Sequence, residues 1–223
     1  YEWKMSHEIR GYNECLITYI MAASSPSYPI RSETYHQGWA RGGKINGAHE
    51  QYGLKLNMNH NGSEAYGGPL FWAHYSFMGL DPRKLKDDYT DYWQHNVNHV
   101  LIDYNYCVEN PGDFKGYGED CWGLTASYSV NGQVMDAPAE QRVKLANSLR
   151  PGYSAHSPAR DLGVISPTAA LASIPYAPRE ALKAARFFYE ELGDRLMGPY
   201  GFYDAFSLEY EWFPQRYLAI DQG

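Results

Sequence analysis

What this chain of 223 residues has little of narrows its possibilities first. Basic residues are outnumbered, 19 Lys and Arg against 26 Asp and Glu, and no basic run is long enough to follow a phosphate backbone. A nucleic-acid partner is therefore not expected. No apolar stretch approaches the roughly 18–20 residues that cross a bilayer as a helix, so no membrane span is expected. Only three cysteines occur. Cys15 sits in an apolar segment and reads as an inert core thiol, whereas Cys107 and Cys121 flank a Gly/Pro-rich loop and could pair in an oxidising compartment. No Cys/His spacing suits zinc, and neither a metal nor another cofactor is expected. The sequence contains no Gly-x-Ser-x-Gly elbow, no Walker-type loop and no dinucleotide fingerprint. The Gly-Gly pairs at 42–43 and 67–68 lack the strand-to-helix setting such loops need. The chain opens at Tyr1 with no leader-like segment and stops at Gly223, beside the apolar run 217–220, so a longer protein is expected.

Aromatic residues are what the sequence has in quantity: 21 Tyr, eight Phe and six Trp. They stand beside carboxylates, Asn, His and Gly, as in Gly11-Tyr-Asn-Glu14, Phe71-Trp-Ala-His-Tyr75, Asp91-Tyr-Trp-Gln-His95 and Gly201-Phe-Tyr-Asp204. Rings cover the apolar face of a sugar while polar neighbours bond its hydroxyls, and a carboxyl among rings loses hydration and holds its proton more tightly. A saccharide cleft fits this mixture. The plainer alternative is that the tyrosines only pack helices together with their hydroxyls in water.

Periodicity predicts mostly helices. Ile9, Tyr12, Leu16, Tyr19/Ile20 and Ala23 give a helix over 8–23, with Ile17 and Met21 as a second apolar face that includes Glu14. Ser24-Ser25-Pro26 ends it. Alternation in 52–58 suggests a hairpin within a Gly/Asn-rich loop. Helices are expected over 71–80 and, most clearly, over 83–107, where Leu85, Tyr89, Tyr92/Trp93, Val97, Val100/Leu101 and Tyr104 keep the 3.6-residue period. A turn-rich loop spans 110–136, and 137–149 is weakly helical. Ser166-Pro167 is a cap followed by Pro at the first helical position. Pro178 opens a further helix striped by Ala181/Leu182, Ala185, Phe188/Tyr189, Leu192 and Leu196. A last helix is expected from about Pro214 or Tyr217.

Glu14, beside Tyr12 and Asn13 in a helix read as buried, is the best general acid; the alternative is a core Glu bonded to a neighbouring helix end. Asp204 is the best base, or else an N-cap ahead of Ala205-Phe206. Trp122, after Asp120-Cys121, could be a sugar platform or a packed loop Trp. His74 and Tyr75 could bind hydroxyls, although a lone His among rings is often a core residue. Glu209 and Glu211 read as solvated.

Taken together, Gly11-Tyr-Asn-Glu-Cys-Leu-Ile-Thr-Tyr-Ile20, Gly68-Pro-Leu-Phe-Trp-Ala-His-Tyr-Ser-Phe77, Cys121-Trp-Gly-Leu-Thr-Ala-Ser127, Ser166-Pro-Thr-Ala-Ala-Leu171 and Gly198-Pro-Tyr-Gly-Phe-Tyr-Asp-Ala-Phe-Ser207 resemble the glycoamylase-like proteins. These include the bacterial β-1,2-glucanases of glycoside hydrolase family 144 and the matching domain of cyclic β-1,2-glucan synthases. The resemblance covers essentially the whole chain; only 128–160 departs from the pattern and looks like an insertion near the cleft. It implies an all-α (α/α)6 toroid, of which 1–223 would be the C-terminal half of one catalytic domain, with small hairpins in its loops. It further implies inverting hydrolysis of β-1,2-linked glucan with Glu14 as acid and Asp204 as base. The sugar would be bound by Tyr12, Asn13, Trp39, His74, Tyr75, Trp122 and Tyr203. A transglycosylase, or a non-catalytic glucan binder, is the alternative. The implied partners are a β-glucan and the remaining part of the toroid, and the implied location is periplasmic or secreted.

Overall fold

The computed structural model describes residues 7–62 and 65–221. In chain order the elements are α1 (Leu16–Ala23), α2 (Ser32–Gln37), β1 (Asn46–Gln51), β2 (Leu54–Met58), α3 (Tyr92–Glu109), β3 (Ala126–Ser129), α4 (Gly132–Met135), α5 (Ala139–Ser148), β4 (Gly152–Ala155), α6 (Pro167–Leu171), α7 (Pro178–Glu190), α8 (Gly193–Leu196), β5 (Met197–Gly198) and β6 (Gly201–Phe202). Short 3-10 turns occupy Leu70–Ala73, Tyr75–Met78 and Ala219–Asp221. The strands form three two-stranded antiparallel sheets, β1–β2, β3–β4 and β5–β6. Among the described residues no helix is long and apolar enough to cross a membrane.

Several expected elements are shorter than their periodicity suggests. The helix predicted over 8–23 begins only at Leu16. Gly11 has φ +72°, and its N–H bonds the Trp39 carbonyl at 2.8 Å, so the chain is committed to a turn there. Asn13 then accepts the Cys15 N–H in an Asx turn. Only Leu16 of α1 is fully buried, and Met21 is exposed, so the helix is not enclosed on both apolar faces within this chain. Residues 71–80 form two 3-10 turns meeting at His74 rather than one helix. The segment before Tyr92 is a loop closed by a Lys86–Asp91 bridge. Asp91 then caps α3 by accepting the Gln94 N–H, and Asn110 ends it in the left-handed conformation. No helix starts at Pro214 or Tyr217; only Ala219–Asp221 coil.

In the longest helix the expected stripe is only partly enclosed: Tyr92 and Val100 are buried, but a polar stripe is buried with them. The face of α3 that is fully buried includes His95, Asn96, His99 and Asp103, whereas Val97, Leu101 and Tyr104 are only half-buried. A buried polar stripe survives when its groups are bonded. Asn96 accepts the Tyr12 hydroxyl at 2.7 Å, His99 Nε2 donates to the Gly68 carbonyl at 2.7 Å, and Asp103 accepts the Leu124 N–H at 3.2 Å. His60 Nδ1 accepts the Gly68 N–H, which leaves its Nε2–H to donate to His95 Nε2 at 2.7 Å. Tyr12 stacks on His60 with ring centroids 4.3 Å apart.

Three apolar clusters surround this polar seam. The largest joins α3, Trp122, Leu124, α6, α7 and Phe206. A second gathers Tyr12, Leu16, Trp39, Ile45, Met58 and Tyr92. The third belongs largely to the segment 128–160: Val130, Val134 and Ala146 pack with Val164, Ala205, Tyr210 and Trp212. Cys107 and Cys121 are both buried free thiols, and Cys15 is free and half-buried.

Gly123 positions α6 against the core. It has φ +126°, and an added Cβ would lie 3.0 Å from Ala170 N and from the Ser166 carbonyl. Gly123→Ala is expected to cost about 2–4 kcal/mol, from backbone strain plus overpacking. Urea unfolding of the variant checks this, and a midpoint equal to wild type would refute it.

Candidate active site

Asp204 is mounted from three directions. Its N–H donates to the Arg216 carbonyl at 2.9 Å, and its carbonyl accepts the Ser166 hydroxyl at 2.6 Å. Its carboxyl Oδ2 accepts the Tyr128 N–H of β3 at 2.6 Å. The residue is not a helix cap: it leads into the Ile165–Phe206 bridge, an extended pairing. Ser166, expected to cap α6, makes no cap bond and spends its hydroxyl on Asp204 instead. Burial, with the carboxyl of Asp221 alongside, pushes Asp204 up to about 7.

Asp221, in the last 3-10 turn, lines the same small cavity as Asp204. Its Oδ1 accepts the Tyr75 hydroxyl, and its carbonyl accepts the Thr168 hydroxyl at 3.0 Å. Asp221 and Thr168 form the wall shared by two cavities. One, of about 380 Å³, is lined by Phe71, Tyr75, Phe77 and Tyr176, with His74 and Thr125 between the rings. The other, of about 130 Å³, is lined by Leu171, Phe202, Tyr203 and Asp204.

Glu14 lies in the turn before α1 and is half-buried, so the deep burial expected of it belongs to Asp204 instead. Its carbonyl accepts the Ser76 hydroxyl, whose oxygen also receives the Ile17 N–H at 3.1 Å. Ser76 thereby ties the Glu14 turn to the turn that carries Tyr75. The charges of Asp221, Asp204 and Glu14 all act on the hydroxyl of Tyr153, an exposed β4 residue whose ionisation is raised by burial first and then by those three.

The other expected sugar-binding residues divide. His74, Tyr75 and Tyr203 line the two cavities. His74 Nε2–H donates to Ser173 Oγ at 3.0 Å, and burial holds the ring neutral, at about 3. Tyr12, Trp39 and Trp122 are fully buried, so their rings are closed to a ligand. Their polar atoms are used internally: Tyr12 on Asn96, Trp39 Nε1 on Tyr92 and Trp122 Nε1 on the Glu180 carbonyl. Rings this large fill cores more often than clefts. Asn13 spends its amide on Arg10 and Cys15. Sequence reasoning missed Asp221, Ser166 and Tyr153, whose importance arises only from contacts distant in sequence. Among the described residues no three His, Cys, Asp or Glu converge as metal ligands.

The sequence profile of the Glycoamylase family matches residues 6–223. The chain belongs to that family. An endo-β-1,2-glucanase from Chitinophaga pinensis, solved with sophorotriose and glucose, is 51% identical with a TM-score of 0.87 over 100% of this chain and 49% of its own. A β-1,2-glucanase from Parabacteroides distasonis is 37% identical with a TM-score of 0.80, over 97% of this chain and 30% of its own. An exo-β-1,2-glucooligosaccharide sophorohydrolase (non-reducing end) of the same organism is 37% identical, over 99% of this chain and 30% of its own length. The Glycoamylase segment described here thus spans between about a third and a half of these relatives.

Proposed function

We propose that this chain forms part of the cleft of a glycoside hydrolase acting on β-1,2-linked glucan by inversion, with Glu14 as acid and Asp204 as base. The observation that carries the reading is Asp204 itself: a buried carboxyl, rigidly mounted, opening on a ring-lined cavity. The activities of these relatives support the substrate class. Their greater length supports an (α/α)6 toroid completed by further helices, which would also cover the exposed side chains of Met21 and Met78.

In the reaction, Glu14 gives its proton to the glycosidic oxygen as the bond to the anomeric carbon breaks. Water attacks that carbon from the opposite face, and its proton passes to Asp204. The new C–O bond has the inverted configuration. Exchange with solvent returns the proton from Asp204 and restores it to Glu14. Incubation of the full-length protein with β-1,2-, β-1,3- and α-1,4-glucans, with products followed by NMR, tests this. Release of β-1,2-oligosaccharides with inverted anomeric configuration is expected. Retention, transfer products only, or cleavage of another linkage alone would overturn it.

Asp204→Asn is expected to cut turnover about 10²–10⁴-fold without loss of stability. Asn keeps an acceptor for the Tyr128 N–H and can donate to Asp221. A carboxyl raised in the folded state favours folding most below its unfolded value, and that benefit is lost as pH rises through about 7. Above that pH the variant should therefore melt no lower than wild type. A large drop in melting temperature at pH 8 would show that the charged carboxylate is structural.

A further inference from the structure

Asp204 and Asp221 each have one carboxyl oxygen held by a donor and one that is buried without any. Tyr128 N–H holds Asp204 Oδ2, and the Tyr75 hydroxyl holds Asp221 Oδ1. Asp204 Oδ1 and Asp221 Oδ2 have no donor. Yet the two carboxyls line one cavity of only about 130 Å³. Two buried carboxylates in so small a space repel each other, and one shared proton would remove that repulsion and serve both orphan oxygens.

We infer that Asp221 is the positioning partner of the base: fixed by Tyr75, it shares one proton with Asp204 and controls when Asp204 is free to take a proton from the attacking water. This rests on the reading of Asp204 as base. The placement suits the role, because Asp221 walls both cavities whereas Asp204 lines only the smaller. The loss of the shared proton leaves two adjacent negative charges, and the hydroxyl of Tyr75 supports one of them.

Other groups around the pair do not displace this pairing. From β4 comes the neutral hydroxyl of Tyr153, from β3 only the backbone N–H of Tyr128, and from the α6 side the hydroxyl of Thr168. Arg216 offers its carbonyl to Asp204 while its guanidinium lies 6.0 Å from the Tyr128 ring centroid. Glu14 acts on the same Tyr153 hydroxyl and adds to the negative field.

The test uses the full-length protein with β-1,2-glucan oligosaccharides and compares pH profiles of kcat/KM. Asp221→Asn removes the neighbouring charge, so the acid limb should move down by about one pH unit or more. Tyr75→Phe removes a donor from the doubly ionised pair and should move the limb up. A merely structural Asp221 would lower activity at every pH and leave the limb in place, which would overturn the inference. Infrared difference spectra of wild type against Asp221→Asn read the shared proton without turnover. A protonated-carboxyl band titrating near neutrality, distinct from any constant signal of buried Asp103, is expected in wild type alone. If the band is present but no glucan is cleaved, the inference about the pair stands and the glucanase reading falls. If cleavage occurs with no such band and an unmoved limb, the pair inference falls alone.

Discussion

Glu14→Gln is expected to lower glucan turnover about 10²–10⁴-fold while substrate binding stays measurable. Gln keeps the length and the hydrogen-bonding oxygen of the side chain but has no acid proton for the leaving oxygen. The effect should be chemical rather than structural, because Glu14 is half-buried and its turn is held through the backbone: Gly11 by Trp39, Asn13 by its Asx turn and the Glu14 carbonyl by Ser76. Substitutions at such positions usually change stability by no more than about 0.5 kcal/mol. Turnover and oligosaccharide binding are measured on the same preparation of the full-length protein. Retention of more than a tenth of wild-type turnover would remove Glu14 from the role of acid.

Folding stability should fall steeply below neutral pH, through the buried imidazoles. His60, His74, His95, His99 and His156 are all buried, and burial lowers each of them, His74, His95 and His156 to about 3 and His99 to about 4. A lowered His stabilises the fold above its unfolded value of about 6.5 and loses that contribution as pH falls toward its folded value. Three carboxyls oppose this. Asp103, Asp161 and Asp204 are raised by burial, so the folded state binds their protons first. Near pH 5 the unfolded chain therefore binds about five protons at these histidines against at most about three at the folded carboxyls, a net of about two. Stability should then drop by about 2.7 kcal/mol per pH unit, against a typical total of about 5–15 kcal/mol. Urea unfolding between pH 5 and 7.5 gives the slope directly. A flat profile over that range would show that the histidine cluster is hydrated or protonated in the folded protein.

Packing accounts for some of the tyrosines, but with their hydroxyls bonded inside the protein rather than in water. Tyr12 and Tyr92 are core residues with internal partners, whereas Tyr75, Tyr153 and Tyr203 stand at the carboxylates. Composition contains no signal that separates these two groups. Separation needs the burial of each ring, which depends on what other segments bring to it.

The sequence by itself determined the local elements whose physics is local. Pro178 opens α7, Pro167 opens α6, and the 3.6-residue period marks the body of α3, because proline and helical period act within a few residues. Family membership was legible for a related reason: motif blocks in a fixed order survive without knowledge of contacts. The tertiary structure alone decided which stripe of α3 is buried, since His95, Asn96, His99 and Asp103 are tolerated inside only through partners on the segments around Tyr12, His60, Gly68 and Leu124. It also decided that Trp39 and Trp122 are core rather than cleft, and that the hydroxyl of Ser166 serves Asp204 rather than its own helix. The Asp204–Asp221 pair belongs with these, because two carboxyls 17 positions apart that line one cavity, with Tyr75 from 146 positions away bonded to one of them, leave no periodicity to read. Burial and partner geometry set the protonation of such groups, and both are properties of the folded chain.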